Sequence, residues 1–580
     1  MKKVLILLIC LIGYQIGCHA QMADEHYYFK NLSVQNGLSQ NTVNAILQDK
    51  QGFMWFGTKD GLNRYDGLSF CKFKHDDRTR RSIGNNFITA LYEDAKGNIW
   101  VGTDVGIYIY NPEKDSFRHF AELSAENTKI EHTVTAISGD NKGCVWVAVE
   151  SQGLFCYDLE EGKLRNYTLE NFSFISTNVQ SFVFDNSGTL WIGCYGDGLF
   201  YSKDRLQTLR PYVSPVDDQK TYANGAYNCL FVGSLKGGVK ELNLTSNKLH
   251  DLLSEDENGE SVFCRELLAA SDNELWIGAE SGLYIYNLRM GKYVHLRSSI
   301  NDPYSLSDNA IYSLCKDRED GIWIGSYFGG VNYYPRFYTY FEKYYPKGTD
   351  NGLRGKRVRE FCQDNQGILW IGTEDGGLNR FNPKTKTFSF FTPSSAFTNV
   401  HGLCLIGDHL WVGTFSKGVK VVDTRTGAIV KTYQKTDSPR SLIDNSVFSI
   451  CCTTTGDIYL GTLFGLLRYN KQSDDFDRIP ELNGRFVYDI KEDSGGNLWL
   501  ATYANGAYCY NVSDKKWKNY LHDKNNPKSL PYDKVLSIFE DSHRQIWLTT
   551  QGGGFSRFQH DTETYAIYNL SAGLPNDVIY

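Results

Sequence analysis

The sequence has no basic surplus. Its 580 residues carry 60 Lys and Arg against 67 Asp and Glu, a formal net charge of −7, or −9 without Lys2 and Lys3, so the cationic footprint of a nucleic-acid-binding protein is missing. No C-x-x-C or H-E-x-x-H spacing occurs among its 14 Cys and 12 His, which leaves a zinc centre without support. G-x-S-x-G is also absent, and with it the nucleophile elbow of a serine hydrolase. From the residues alone, no catalytic residue, metal site or cofactor is expected. Beyond the first twenty residues no apolar run is long enough to cross a membrane. The opening MKKVLILLICLIGYQIGCHA has two lysines, an apolar stretch from Val4 to about Gly17 and small residues before Gln21. It reads as a signal peptide over residues 1–20, being too short for the span of about 20 apolar residues that an anchor needs. Twelve cysteines remain after Ala20. They are scattered singly in apolar runs, as at Cys156, Cys315, Cys362 and Cys404, and are expected to be buried unpaired thiols.

What is present is repetition. Aligned on Trp55, the chain places Trp100, Trp146, Trp191, Phe231, Trp276, Trp323, Trp370, Trp411, Tyr459, Trp499 and Trp547 in one register at intervals of 40 to 48 residues. Ten of the eleven tryptophans obey it, Trp517 being the exception. Intervals of this length with strand-like contents are those of β-propeller blades. Each unit opens on a short apolar strand and then an Asp with Gly three residues on, as in Asp49–Gly52, Asp140–Gly143, Asp185–Gly188 and Asp364–Gly367. That is the preference of a type I turn, so these aspartates are read as turn residues rather than as acids for catalysis. The second strand carries the tryptophan. The third, GLYIYN in one unit, is apolar or aromatic on both faces, as stacking between neighbouring blades requires. Glycines such as Gly57, Gly102, Gly193 and Gly372 are expected to permit close backbone approach beside the indole. The fourth strand varies, as an outer edge would.

Twelve units exceed the four to eight blades of one propeller, so the fold expected is all-β, with tandem β-propellers, one complete and seven-bladed over residues 23–340 and a second, incomplete one over residues 341–580. An outer strand from the N-terminal segment YYFKNLSVQNGLSQNTV would close the first ring. A six-plus-six division is the alternative. The last residues, LSAGLPNDVIY, resemble the loop into a further unit, and five blades with a stub suggest a chain cut short.

These residues also carry a resemblance. NGLSQNTVNAILQDKQGFMWFGTKDGLNRYDG, followed by repeated D-x-x-G-x-φ-W-φ-G-T-x-x-G-G, with φ an apolar residue, resembles the two-component regulator propeller of periplasmic sensors in hybrid two-component systems. The resemblance spans residues 27–580. It implies two seven-bladed propellers, a β-sandwich, a membrane helix that anchors the full-length relative in the inner membrane, a histidine kinase, a receiver and a DNA-binding region, working as a dimer. No residue of the kinase, the receiver or the DNA-binding region is present, so no enzymatic activity and no nucleic-acid partner are expected of this chain itself.

Loops entering the first strand and loops joining the second and third strands share one propeller face, the usual place for a ligand. They hold Tyr195 and Asp197, Tyr327 and Phe328, Glu374 and Asp375, Phe415 and Lys417, and Tyr503 and Asn505. Aromatic rings beside carboxylates and amides suit a sugar, which has an apolar face and a polar rim. GLRGKRVRE breaks the pattern of its counterparts and brings Arg354, Lys356, Arg357 and Arg359 together, an anion site for a uronate or sulfate, or else a salt-bridged loop. The function expected is sensing of oligosaccharides from glycan breakdown, acidic ones if the basic loop is their contact. The alternatives are a propeller polysaccharide lyase or glycosidase, which needs two carboxylates about 5–10 Å apart or a Tyr/His and Arg constellation, and a scaffold for a protein partner.

Overall fold

In the first blade, strands Val43–Gln48 and Met54–Thr58 are joined by a turn that begins at Asp49. One oxygen of the Asp49 carboxylate accepts from the backbone N–H of Gln51 (3.0 Å) and Phe53 (2.9 Å), and the other accepts the Trp55 indole N–H at 2.7 Å. The aspartate is therefore both the turn residue and the anchor of the next strand's tryptophan. Eight of the ten tryptophans in register are held by an Asp six residues earlier, at 2.7 to 3.1 Å. Where Tyr459 replaces the tryptophan, Thr453 replaces the aspartate. Trp276 has Ala270 at that position, and its indole N–H is buried without a partner among the described residues.

The second half of the motif, G-T-x-x-G, ties the opposite end of the blade. The Thr58 hydroxyl donates to the Gly61 carbonyl at 2.8 Å and accepts from the Asp60 N–H at 3.1 Å. Thr103, Thr373, Thr462, Thr502 and Thr550 repeat the bond. Gly57 faces the following blade rather than its own tryptophan. A Cβ there would lie 2.5 Å from Ile88 Cγ2, and at Gly325 of the seventh blade 2.8 Å from Val43 Cγ1 of the first.

The structure, a computed structural model, describes residues 27–122, 130–140, 142–167, 178–195, 197–212, 221–226, 229–336, 341–348, 351–391 and 394–579; the signal-peptide segment at residues 1–20 lies outside them. The described residues form twelve four-stranded antiparallel sheets, in two compact units divided between Glu342 and Lys343. The first unit holds seven sheets. In the last of these the outer strand is Lys30–Leu32, paired with Val331–Tyr334, so the N-terminal end of the chain closes the ring. The first strands follow one another round the ring, and Ile311–Lys316 packs against Val43–Gln48. This is a complete seven-bladed propeller, and the six-plus-six alternative does not hold. The second unit holds five sheets whose first strands pack in sequence from Val358–Gln363 to Val535–Glu540. Phe361 and Phe539, on the first strands of its two end sheets, are exposed.

The core consists of the faces between blades. Third strands are buried on both sides, as in Gly282–Asn287. No disulfide joins any of the twelve described cysteines, and Cys71 alone among them is exposed. Among the described residues no helix is long and apolar enough to cross a membrane.

Removal of the Asp94 carboxyl strands the buried Trp100 indole and two turn N–H groups. An unsatisfied buried donor costs about 1–3 kcal/mol. Asp94→Ala should therefore lower the urea midpoint by the equivalent of about 2–3 kcal/mol, while Asp77→Ala, at a carboxylate 95% exposed, should stay within about 0.5 kcal/mol.

Candidate functional site

The start of eleven of the twelve first strands, Thr221–Ala226 being the exception, contains a register shift, for example between Val358 and Glu360, Val400 and Gly402, Val447 and Ser449, and Val487 and Asp489. A β-bulge re-aims the extra side chain, so each of these eleven blades presents one residue, the one after the strand's first, at the same end as its second-to-third loop. In the first three blades the position is structural. Asn44, Thr89 and Thr135 there donate to the first-strand carbonyls of Ile88, Val134 and Val179 in the next blade, at 2.8, 2.6 and 2.7 Å.

In the second unit the same position holds Arg359, His401, Phe448 and Tyr488, which make no such bond and converge instead. The Arg359 guanidinium forks onto the Glu374 carboxylate and reaches the Tyr488 hydroxyl. Arg357 reaches the same carboxylate at 3.3 Å, with its own side chain 78% exposed. His401 lies 4.7 Å from the ring of Phe448 and 6.1 Å from that of Phe415. Phe448 meets Phe486 at 4.5 Å, Phe486 meets Tyr503 at 5.4 Å, and Tyr488 stacks near Tyr503 at 6.2 Å. The Lys534 ammonium stands 4.9 Å from the Tyr503 ring centre. The result is an aromatic floor with cations on its rim.

The charges are tuned by this packing. Burial tends to raise the Glu374 carboxyl, but hydrogen bonds and charge from Arg359, with help from Arg357, outweigh it and hold Glu374 below the usual carboxylate range. Burial, with the Arg359 charge, pushes His401 down to about 4, against a weaker opposing pull from Glu374, so its imidazole is neutral at pH 7. One residue inward of Arg359, Glu360 is raised to about 7 by burial, partly offset by Lys491.

Of the residues expected from the sequence, Arg357, Arg359, Glu374, Phe415 and Tyr503 meet in this mouth. Arg354 points elsewhere, with its guanidinium 3.8 Å from the Phe390 ring centre. Lys356 is exposed, and its backbone N–H, like that of Arg357, donates to Asp375. Tyr327 and Phe328 lie in the first unit, in a group with Tyr312 and Lys59. Tyr195 and Asp197 are exposed in the fourth blade. His401, Phe448, Phe486, Tyr488 and Lys534 were not anticipated. The signal for His401, Phe448 and Tyr488 is the residue after the first apolar position of a first strand, legible only once the bulge is known, whereas Phe486 and Lys534 stand just before that position.

Asp256, Glu257 and His295 bring three potential metal ligands within 4.8 Å of one another. They satisfy each other instead. His295 Nδ1 meets Glu257 at 2.9 Å, and the Arg297 guanidinium donates to Asp256 at 3.3 Å, supplying the positive charge that a cation would.

The sequence pattern of the two-component regulator propeller matches residues 37–60, 82–105, 173–196, 305–328, 352–375 and 481–504. In their described residues these windows run from the loop before the first strand to the loop after the second; residues 173–177 and 196 lie outside the described residues. The chain carries two-component regulator propeller repeats. It is 25% identical over 642 aligned positions to Histidine kinase P4 of Formosa agariphila, covering 95% of this chain and 45% of that protein. The chain thus spans less than half the length of that curated relative. The fold is similar to that of the extracellular domain of the putative hybrid two-component system BT3049 from B. thetaiotaomicron, with a TM-score of 0.65 at 24% identity, covering 95% of this chain and 80% of that one.

Glu266, the counterpart of Glu360 in the first unit, is likewise raised by burial from the ordinary 4.5 to about 7, against a weaker backbone hydrogen bond from Leu267. Between those pH values the folded chain binds more protons than the unfolded one, so stability falls as pH rises from about 4.5 to about 7. Glu266→Gln should therefore melt above the parent protein at pH 8, by the equivalent of about 2 kcal/mol, and with it at pH 5. Equal shifts at both pH values would show that the carboxyl is ionised throughout.

Proposed function

We propose that this chain is the ligand-sensing region of a hybrid two-component sensor, exported to the periplasm, and that the mouth of its second unit binds an oligosaccharide bearing carboxylate or sulfate groups. The observation that carries the reading is the make-up of that mouth: Arg357 and Arg359 reach Glu374, with Asp375 on the backbone N–H groups of Lys356 and Arg357, and Lys534 stands over Tyr503, beside the rings of Phe448, Phe486 and Tyr488. A pyranose offers an apolar face to such rings, and an acidic substituent would answer the cations. Signalling would follow if the occupied and empty mouths favour different arrangements of the chain, since a ligand shifts an equilibrium only by its differential affinity. The repeats and the likeness over 95% of the chain to a histidine kinase support a sensor. Kinase chemistry would belong to other parts of such a protein.

One feature favours a second reading. Arg359, the neutral His401 and Tyr488 stand together, the residue types with which a polysaccharide lyase neutralises a uronate and removes its C5 proton.

Calorimetric titration with trigalacturonate distinguishes these readings. Binding is expected, weakened at least tenfold by Arg359→Ala and by Tyr503→Ala, about 1.4 kcal/mol each, with the trisaccharide recovered intact. Unchanged affinity in Arg359→Ala would remove this mouth from the account. Unsaturated products, seen by their ultraviolet absorbance, would make the protein a lyase.

A further inference from the structure

The first unit contains the same constellation in the same register. Among the described side chains at the bulge position, arginine occurs twice, at Arg265 and Arg359, and in both cases a glutamate fifteen residues later, Glu280 or Glu374, receives the guanidinium. In both cases the next blade places an aromatic ring at its own bulge and another in its second-to-third loop: Tyr312 with Tyr327, and His401 with Phe415. The backbone around them is superposable in pattern, since the Tyr327 N–H donates to Ala310 and the Phe415 N–H to Asn399. Arg265 lies 5.0 Å from the Tyr312 ring centre, and the Tyr312 hydroxyl is 3.4 Å from Glu280. No other pair of adjacent blades among the described residues repeats this set.

We infer that the mouth of the first propeller is a second oligosaccharide site, taking the same acidic class of ligand as the second unit and resting on the reading of that unit given above. Three features support it beyond the shared register. Lys59 stands 4.0 Å from the Tyr327 ring centre and donates to the Tyr327 hydroxyl at 2.5 Å, a second cation in this mouth besides Arg265, while the Asp308 carboxylate accepts the Phe328 N–H at 2.8 Å. Phe328 is 72% exposed beside Tyr327, at 4.6 Å, an open ring at the rim. Behind each arginine a carboxyl, Glu266 or Glu360, is raised by burial in the same direction, which keeps a protonated donor beneath both mouths at mildly acidic pH. The sites differ in one respect. Phe263 stands where the second unit has Arg357, so the first mouth should bind the acidic sugar more weakly.

Equilibrium dialysis of the whole chain against trigalacturonate, with maltotriose as the neutral control, tests this. Two moles of trigalacturonate per mole of chain are expected at saturation. Arg265→Ala should remove the weaker mole and Arg359→Ala the tighter one, each leaving the other intact, which also shows that the variant is folded. Should Arg265→Ala not fold, Lys59→Ala and Phe328→Ala at the exposed rim read the same site and should each weaken it at least fivefold. One mole, lost in Arg359→Ala and indifferent to Lys59→Ala, would overturn the second site alone. No uptake by the parent protein would overturn both sites, and equal uptake of maltotriose would overturn the acidic class of ligand.

Discussion

The structure rests on one carboxylate used twice. In each regular blade an aspartate closes the turn between the first and second strands and holds the indole of the second, as Asp49 holds Trp55 at 2.7 Å and Asp364 holds Trp370 at 2.8 Å. Turn geometry and inter-blade packing are thereby fixed by the same side chain. A tryptophan buried between sheets needs an acceptor for its N–H, and a turn aspartate has a second oxygen to give. This bond sits at the end of the blade where the first strand finishes. The opposite end, where the first strand starts and the second finishes, is held by the threonine hydroxyl of G-T-x-x-G, a bond that leaves the neighbouring side chains free. The repeated end supports the blade, and the variable end carries the chemistry.

Much of this was legible in the sequence because period-setting residues are large and turn-setting residues are few. The tryptophan register located every blade, and the apolar third strands indicated radial stacking. The role of the aspartate was half visible: Asp-x-x-Gly announces a turn, but the indole bond spans six residues and needs the hairpin's pairing before its geometry is apparent. Gly57 shows the same limit, because the atom that excludes a side chain there, Ile88 Cγ2, belongs to the next blade.

The candidate site was legible in its loops and hidden in its strands. Loop residues such as Glu374, Phe415 and Tyr503 stand out because they interrupt a repeated motif. His401, Phe448 and Tyr488 follow an apolar residue inside what reads as an ordinary strand, and only a bulge turns them to the mouth. The basic run also changes meaning on folding. Arg354 spends its charge on Phe390, and Arg357 and Arg359 share Glu374, so the surplus is smaller than four cations in six residues suggest, and part of it comes from Lys534, far away in the chain.

Both mouths combine aromatic rings with a partly neutralised cationic rim, and the proposal that they bind a small acidic sugar rests on that combination. The most direct measurement is a crystal structure of the chain with trigalacturonate. The account predicts a pyranose ring over Phe486 and Tyr503 with a carboxylate within hydrogen-bond distance of Arg359 or Lys534. A sugar bound elsewhere, with Arg359 still closed on Glu374 and the rings bare, would contradict it.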